Sequence, residues 1–202
     1  MEAEKYNVIF FGRSGSGKDT QAQLLKKKLE DIDGEESVLY IHGGKAFRDL
    51  VEQQGFLTAR FLKERIIDSG GKSPDFLSIW TWGRDFIGKL AASHHVILSG
   101  SPETTLEAKA MDDAFSFYDR KKIYPIYLNV DPAEAARRLK ARGEPDDTEE
   151  KINQRLGYFD RWIEPTLEYY RKESQNKLIT INANSNDKEK IHKEILKTLY
   201  IK

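Results

Sequence analysis

The chain has 202 residues, 33 Lys and Arg against 33 Asp and Glu, no cysteine and 39% hydrophobic content. That length supports one domain with a full core, and zero net charge gives no default attraction to nucleic acid or an anionic membrane. Without cysteine there is no disulfide scaffold, thiol nucleophile or thiolate metal site, and His42, His94, His95 and His192 lack metal-ligand spacing.

No apolar run approaches the roughly 20 residues needed to span a bilayer, and the charged start Met1–Lys5 is not expected to act as a secretory signal. A soluble, cytoplasmic protein is expected, with a monomer as the default because no long exposed apolar stretch stands out. Short β-rich runs then alternate with amphipathic segments. Val8–Phe11, Val38–Ile41, Val96–Leu98, Ile126–Val130 and Leu178–Ile181 are predicted strands, near-continuously apolar as in a parallel sheet covered on both faces. A helix follows Lys18, carrying Leu25, Leu29 and Ile32 inward and a solvated face at Lys26-Lys27-Lys28. Residues 42–75 hold two or three short helical pieces rich in glycine. Trp80, Trp82 and Phe86 then recur at helical spacing, which predicts packing rather than base-stacking.

A further helix opens at Pro132 behind Asp131 as cap, with Ala135, Ala136 and Leu139 on one face. Residues 140–148 read as a polar, helix-breaking connection, and 148–173 as a long helix that Pro165 kinks or splits. The last helix starts near Asn186-Asp187 and presents Ile191, Ile195, Leu196 and Leu199. Strand–helix alternation implies right-handed crossovers and a three-layer α/β sandwich on a five-stranded parallel sheet.

The strongest local signal is Phe11-Gly12-Arg13-Ser14-Gly15-Ser16-Gly17-Lys18-Asp19-Thr20, between the first strand and the first helix. In that context it reads as a phosphate-binding loop of the P-loop NTPase type. Glycines let successive backbone N–H groups turn toward an anion that also meets the positive end of the helix dipole. Lys18 reaches the β- and γ-phosphates of a nucleoside triphosphate. The residue after it is Asp19, so the hydroxyl for Mg²⁺ comes one place later, at Thr20.

In this register Gly12, Gly15, Gly17, Lys18, Thr20 and Gln21 resemble the G-x-x-G-x-G-K-G-T-Q loop of adenylate kinase and the other nucleoside monophosphate kinases. The resemblance runs along most of the chain. Gly43-Gly44-Lys45-Ala46-Phe47-Arg48 is similar to T-G-D-x-L-R, whose arginine contacts the acceptor phosphate. Asp68–Asp75 is similar to D-x-G-x-x-V-P-D, which lines the acceptor base, and Arg138-Leu139-Lys140-Ala141-Arg142 to R-L-x-x-R, whose arginines contact ATP. Asp146-Asp147, Arg155-Leu156 and Tyr169-Tyr170 follow the family's next block.

The resemblance implies one kinase domain over 1–202. Its core would be 1–42, 76–139 and 149–202, its acceptor-binding lobe 43–75, and its short lid 140–148, without the zinc cluster of some relatives. It implies reversible transfer of the ATP γ-phosphate, with Mg²⁺, to a monophosphate, AMP first. Lys18, Arg48, Arg142 and Arg155 would be the catalytic cations. The donor side would comprise Gly12, Ser14, Gly15, Ser16, Gly17, Asp19, Thr20, Arg138, Arg142 and Asn186. The acceptor side would comprise Gly43, Gly44, Arg48, Lys72, Ser73, Gly100, Glu103, Glu107 and Arg155. Asp146 and Asp147 would set the closed lid by capping or ion pairs.

Departures from the family concern charge. D-G-F-P-R-T appears as Ser99-Gly100-Ser101-Pro102-Glu103-Thr104, so the aspartate that supports Mg²⁺ becomes Ser99 and the arginine that grips the acceptor phosphate becomes Glu103. Glu107 stands where a glutamine reads the acceptor base, and Glu144 where a lid arginine stands. At 4 Å and an effective dielectric near 20, each unit charge is worth about 4 kcal/mol against a phosphate. Three readings are open: Glu103 faces away while Lys45, Lys72 or Arg60 supplies the charge; the acceptor differs from AMP, for example CMP or UMP; or the chain binds nucleotide without efficient turnover.

Overall fold

The computed structural model describes residues 5–53, 55–69, 71–143 and 147–201. Gly70, Glu144 and Asp146 therefore lie outside the described residues. Five parallel strands, β1 (Asn7–Phe11), β2 (Val38–His42), β3 (His95–Ser99), β4 (Tyr124–Asn129) and β5 (Ile179–Asn182), form one sheet in the order β2-β3-β1-β4-β5. Val8 pairs with Ile97 on one side and Tyr124 on the other, which fixes β1 at the centre.

Strand alternation builds the three layers. Ile9, Phe11, Val96 and Leu98 face a core shared with Trp82, Phe86, Phe115, Leu167 and Tyr170. Those partners come from α4 (Asp75–Lys89), α5 (Thr105–Phe117) and α8 (Glu164–Lys172). Val8, Phe10, Ile97, Ile126 and Leu128 face the opposite core with Leu25, Leu29, Ala135, Ile191 and Ile195. Those belong to α1 (Lys18–Asp33), α6 (Pro132–Arg142) and α9 (Lys188–Thr198). β1 and β3 are buried throughout, whereas β5 lies at the edge and buries only Ile181, so its apolar run does not mark a doubly covered strand. Among the described residues no helix is long and apolar enough to cross a membrane.

Between β2 and α4 lie α2 (Gly43–Glu52) and α3 (Leu57–Leu62), the latter running into a wide helical turn at Lys63–Ile67. They carry a small core of their own at Leu50 and Leu62 with Leu77 of α4. Trp82 and Phe86 pack as the spacing predicts, but Trp80 is 45% exposed, and Ile32 at the end of α1 faces solvent at 53%.

The segment expected to break at Pro165 does so through a widened turn. α7 (Glu149–Tyr158) passes into an i→i+5 turn at Phe159–Ile163 before α8 begins with Pro165 in its first turn. A proline there has no N–H to complete the regular ladder, and the wider turn absorbs the gap. α6 continues through Arg142 and stops at Gly143, at φ +67°. The helix-breaking connection is thus shorter than the sequence suggested. Asp131 precedes α6 without a side-chain cap, contrary to expectation; its N–H instead donates to Asn184 Oδ1. Thr148 caps α7 and Asp187 caps α9 through their side-chain oxygens.

Candidate active site

The central strand delivers the loop between β1 and α1 to the carboxyl edge of the sheet, where α/β folds bind ligands. The loop is shaped by backbone that only glycine tolerates. Gly15 has φ +84°, and a Cβ there would stand 2.7 Å from the Ala135 carbonyl of α6. Gly17, at φ +86°, precedes Lys18 at the start of α1. A Cβ on Gly12 would meet Ser16 Oγ at 2.4 Å; that hydroxyl is buried and takes no partner among the described residues. Arg13, absent from the sequence-derived site, clamps the loop to α7 and the turn beyond it. Its guanidinium lies 4.2 Å from the Phe159 ring centroid and pairs with Asp160 at 2.7 Å.

Gly12, Ser14 and Lys18 share one cavity with Gly100, Ser101, Pro102 and Glu103 from the turn after β3, and with Arg155, Tyr158 and Phe159 from the α7 side. Gly43 packs tightly against the turn after β3, since a Cβ there would lie 2.4 Å from the Gly100 carbonyl. Gly44 packs beside His42 and Arg48, and Arg48 is exposed and makes no ion pair among the described residues.

Glu103 turns into this cavity, which sets aside the reading that it faces away. Tyr158 donates to its Oε2 at 2.6 Å, and the Glu103 N–H donates to Glu107 Oε2 at 2.7 Å. Burial pushes the Glu103 carboxyl above the usual range, while Tyr158, Lys18 and Lys72 pull it back. Of the three cations considered as compensation, Lys72 is the one whose charge reaches Glu103. It pairs with Asp75 at 2.7 Å and lies 5.4 Å from the Trp162 ring centroid. Lys45 pairs with Asp49 instead, and Arg60 lies over Phe61. Ser73 shares a hydrogen bond with Ser78 at 2.5 Å.

Tyr158 was missed in the sequence. The available signal was its place three residues after Arg155, on the same face of α7.

Between α6 and α7, Asp147 gathers both expected arginines. Arg142 grips it through two bonds of 2.9 and 2.8 Å, and Arg155 donates at 2.9 Å. The Asp147 side chain is only 1% exposed. Arg138 binds the turn after β5. Its Nε binds Glu134, and its Nη2 spans the carbonyls of Ala183, Asn184 and Ser185, bracing the turn after β5. Asn186 accepts from Arg137 beside that turn.

The carboxylate missing at Ser99 stands across the loop at Asp19. Ser99 Oγ donates to Asp19 Oδ1 at 2.5 Å, and His42 Nε2 lies 3.4 Å from the same oxygen. His42 Nδ1 accepts from the Lys45 N–H at the start of α2, so the ring's other nitrogen carries the proton toward Asp19. Burial works to raise the Asp19 carboxyl, but His42, Lys18 and Ser99 outweigh it and hold it well below the ordinary carboxylate range. Thr20 follows it, exposed on the first turn of α1.

Comparison with known proteins decides the family. A profile described as an AAA domain matches residues 8–157. An adenylate kinase of Azobacteroides pseudotrichonymphae is 31% identical over 197 residues, covering 96% of each chain. The chain belongs to the adenylate kinase family. An adenylate kinase of Mycolicibacterium smegmatis is 33% identical across 87% of this chain and 90% of its own, and one of Thermosipho africanus is 27% identical across 94% and 97%. As a member of the adenylate kinase family, the chain is a phosphotransferase of the nucleoside monophosphate kinase type.

Within that family site, Glu107 corrects the expectation of a base-reading residue. It is wholly buried, and Trp82 Nε1 donates to one carboxylate oxygen while the Glu103 N–H donates to the other. It braces the turn that carries Glu103. Burial is the main cause that pushes its carboxyl up to about 7, with the Glu103 charge adding to the rise. The folded protein therefore keeps a proton that the unfolded chain releases near pH 4.5. Stability fully present below that pH is lost as pH rises through 7, by at most about 3 kcal/mol. Urea unfolding at a series of pH values checks this. Glu107→Gln, which cannot titrate, flattens the acid-to-neutral decline.

Proposed function

We propose that the chain catalyses reversible, Mg²⁺-dependent transfer of the ATP γ-phosphate to a nucleoside monophosphate, AMP foremost. The observation that carries this reading is the single cavity where the phosphate loop, the turn after β3 and Arg155 of α7 converge. Transfer between phosphates needs in-line alignment and positive charge, and no protein base, because the attacking phosphate oxygen is already anionic.

The loop N–H groups and Lys18 would hold the β- and γ-phosphates. Arg142 and Arg155, held together on Asp147, would close over the transferring group. Arg48 would take the acceptor phosphate from α2. The hard oxygen donors Asp19 and Thr20 suit Mg²⁺ and would hold it directly or through water. When bound, Mg²⁺ neutralises charge developing between the β- and γ-phosphates. Residues 43–75 would form the acceptor lobe and 140–148 the lid, shutting out water so that hydrolysis does not compete.

Glu103 sets the pH dependence of this reaction. Ionised, it repels the acceptor phosphate; protonated, it donates a hydrogen bond to it. Because burial favours the protonated form, the charged fraction grows at higher pH than it would for a solvated carboxylate. A chromatographic assay with Mg-ATP and separate AMP, CMP, UMP, GMP and dTMP tests the reading. ADP forms in step with AMP consumption, and KM for AMP rises with pH as Glu103 ionises. Turnover of another monophosphate in preference to AMP reassigns the acceptor. No transfer, with ATP still bound, removes the kinase reading.

A further inference from the structure

The cavity contains a base that transfer between phosphates does not use. Glu103 lies beside Lys18, the residue that would carry the γ-phosphate, so its carboxylate borders the place where phosphoryl transfer occurs. Tyr158 anchors Oε2 at 2.6 Å, whereas Oε1 takes no hydrogen bond among the described residues. The carboxylate is therefore oriented by one oxygen and available to a ligand through the other. An acceptor phosphate brings negative charge against it, which repels the ionised carboxylate. An uncharged acceptor brings none, and a hydroxyl acceptor requires what the cavity supplies, a group to take its proton.

We propose that this site also phosphorylates a hydroxyl of an uncharged, nucleoside-class acceptor, with Glu103 Oε1 receiving the hydroxyl proton. The inference rests on the donor half of the proposed function, ATP on the phosphate loop, and goes beyond its acceptor half. In the step, the hydroxyl oxygen bonds to the γ-phosphorus while the bond from that phosphorus to the bridging oxygen breaks. The electron pair leaves with ADP, and the hydroxyl proton passes to Glu103 and then to solvent. One proton is released per transfer.

The charged and titratable groups around Glu103 divide: Arg155 shares its cavity as a cation, and Glu107, when charged, opposes its ionisation. Lys18 and Lys72 attract its ionised form, Glu107 beneath it lies on the side of the Glu103 N–H, and Tyr158 stays protonated as a donor. A carboxyl raised by burial is a stronger base than a solvated one and ionises closer to neutral pH, where a general base is most effective. One residue thus gives two opposite profiles. Transfer to AMP falls as Glu103 ionises, and transfer to a hydroxyl rises.

The test uses the purified full chain with Mg-ATP and, separately, adenosine, cytidine, guanosine, uridine, thymidine and AMP. Products are identified by mass spectrometry and proton release is followed across pH. The expected result is monophosphate from at least one nucleoside, with one proton released per transfer and a rate that rises with pH. Glu103→Gln, nearly identical in shape, lowers that rate about 100-fold and removes its rising pH limb. The same variant increases AMP turnover at alkaline pH by removing the charge. Conversion of AMP with no monophosphate from any nucleoside overturns this inference and leaves the proposed function standing. Nucleoside transfer without AMP transfer supports it and overturns AMP as acceptor. Nucleoside transfer undiminished in Glu103→Gln overturns the role of Glu103. Failure of both reactions with ATP bound by calorimetry overturns both readings.

Discussion

Lys18→Ala lowers kcat about 1000-fold while leaving the thermal midpoint close to that of the parent chain. The magnitude follows from removing one preorganised cation from a transferring phosphoryl group in a site shielded from water, where such groups are worth several kcal/mol in the transition state. The small effect on stability follows from position. Lys18 opens α1 immediately after Gly17, and its side chain lines the cavity rather than either of the two cores. Lys18→Arg separates charge from shape, since a planar guanidinium does not substitute for a compact ammonium in a loop built around a point contact. It retains nucleotide affinity better than Lys18→Ala without restoring turnover. Initial rates with saturating Mg-ATP, together with calorimetric ATP binding, check both variants. Near-native activity in Lys18→Ala would refute the assignment of the loop.

What the sequence revealed, and what it concealed, divides along physical lines. The sheet was legible because Val8–Phe11, Val96–Leu98 and Ile126–Leu128 are buried on both faces and so carry unbroken apolar runs. β5 was found for the same reason but misread as doubly covered, because a run of four residues does not distinguish an edge from a centre. The loop was legible because Gly15 and Gly17 occupy backbone that other residues rarely adopt. Side-chain partners were not legible, since they join residues far apart in the chain. Asp147 holding Arg142 and Arg155 follows from how α6 and α7 meet, and Glu103 meeting Tyr158 spans 55 positions. Arg138 shows a further structural role. Its motif pointed to nucleotide, and nothing in the sequence showed that its Nε and Nη2 bind Glu134 and three carbonyls of the turn after β5.

Asp19 and Ser99 show how a departure in sequence is resolved only in space. Read separately, one is an acid at a loop position where relatives carry glycine, and the other is a lost acid at the end of β3. In the structure Ser99 Oγ donates to Asp19 Oδ1 at 2.5 Å, so a carboxylate from across the loop stands against Ser99. His42 completes the support, with Nε2 at 3.4 Å from the same oxygen. If this carboxylate holds the Mg²⁺ shell, Asp19→Ala weakens divalent-cation binding to the ATP complex by about 10- to 100-fold, as loss of such a supporting group does. Turnover falls by a similar factor. Manganese titration of the ATP-bound protein, followed by electron paramagnetic resonance, reads the cation directly and does not depend on catalysis. The decisive variant is the double substitution Asp19→Gly with Ser99→Asp, which moves the acid back across the same contact. Recovery of manganese affinity there, together with its loss in Asp19→Ala, establishes that the position of the charge matters and not the residue that bears it. Unchanged affinity in Asp19→Ala would instead make Asp19 a cap for the positive end of α1, worth about 1 kcal/mol or less to the fold and nothing to the cation.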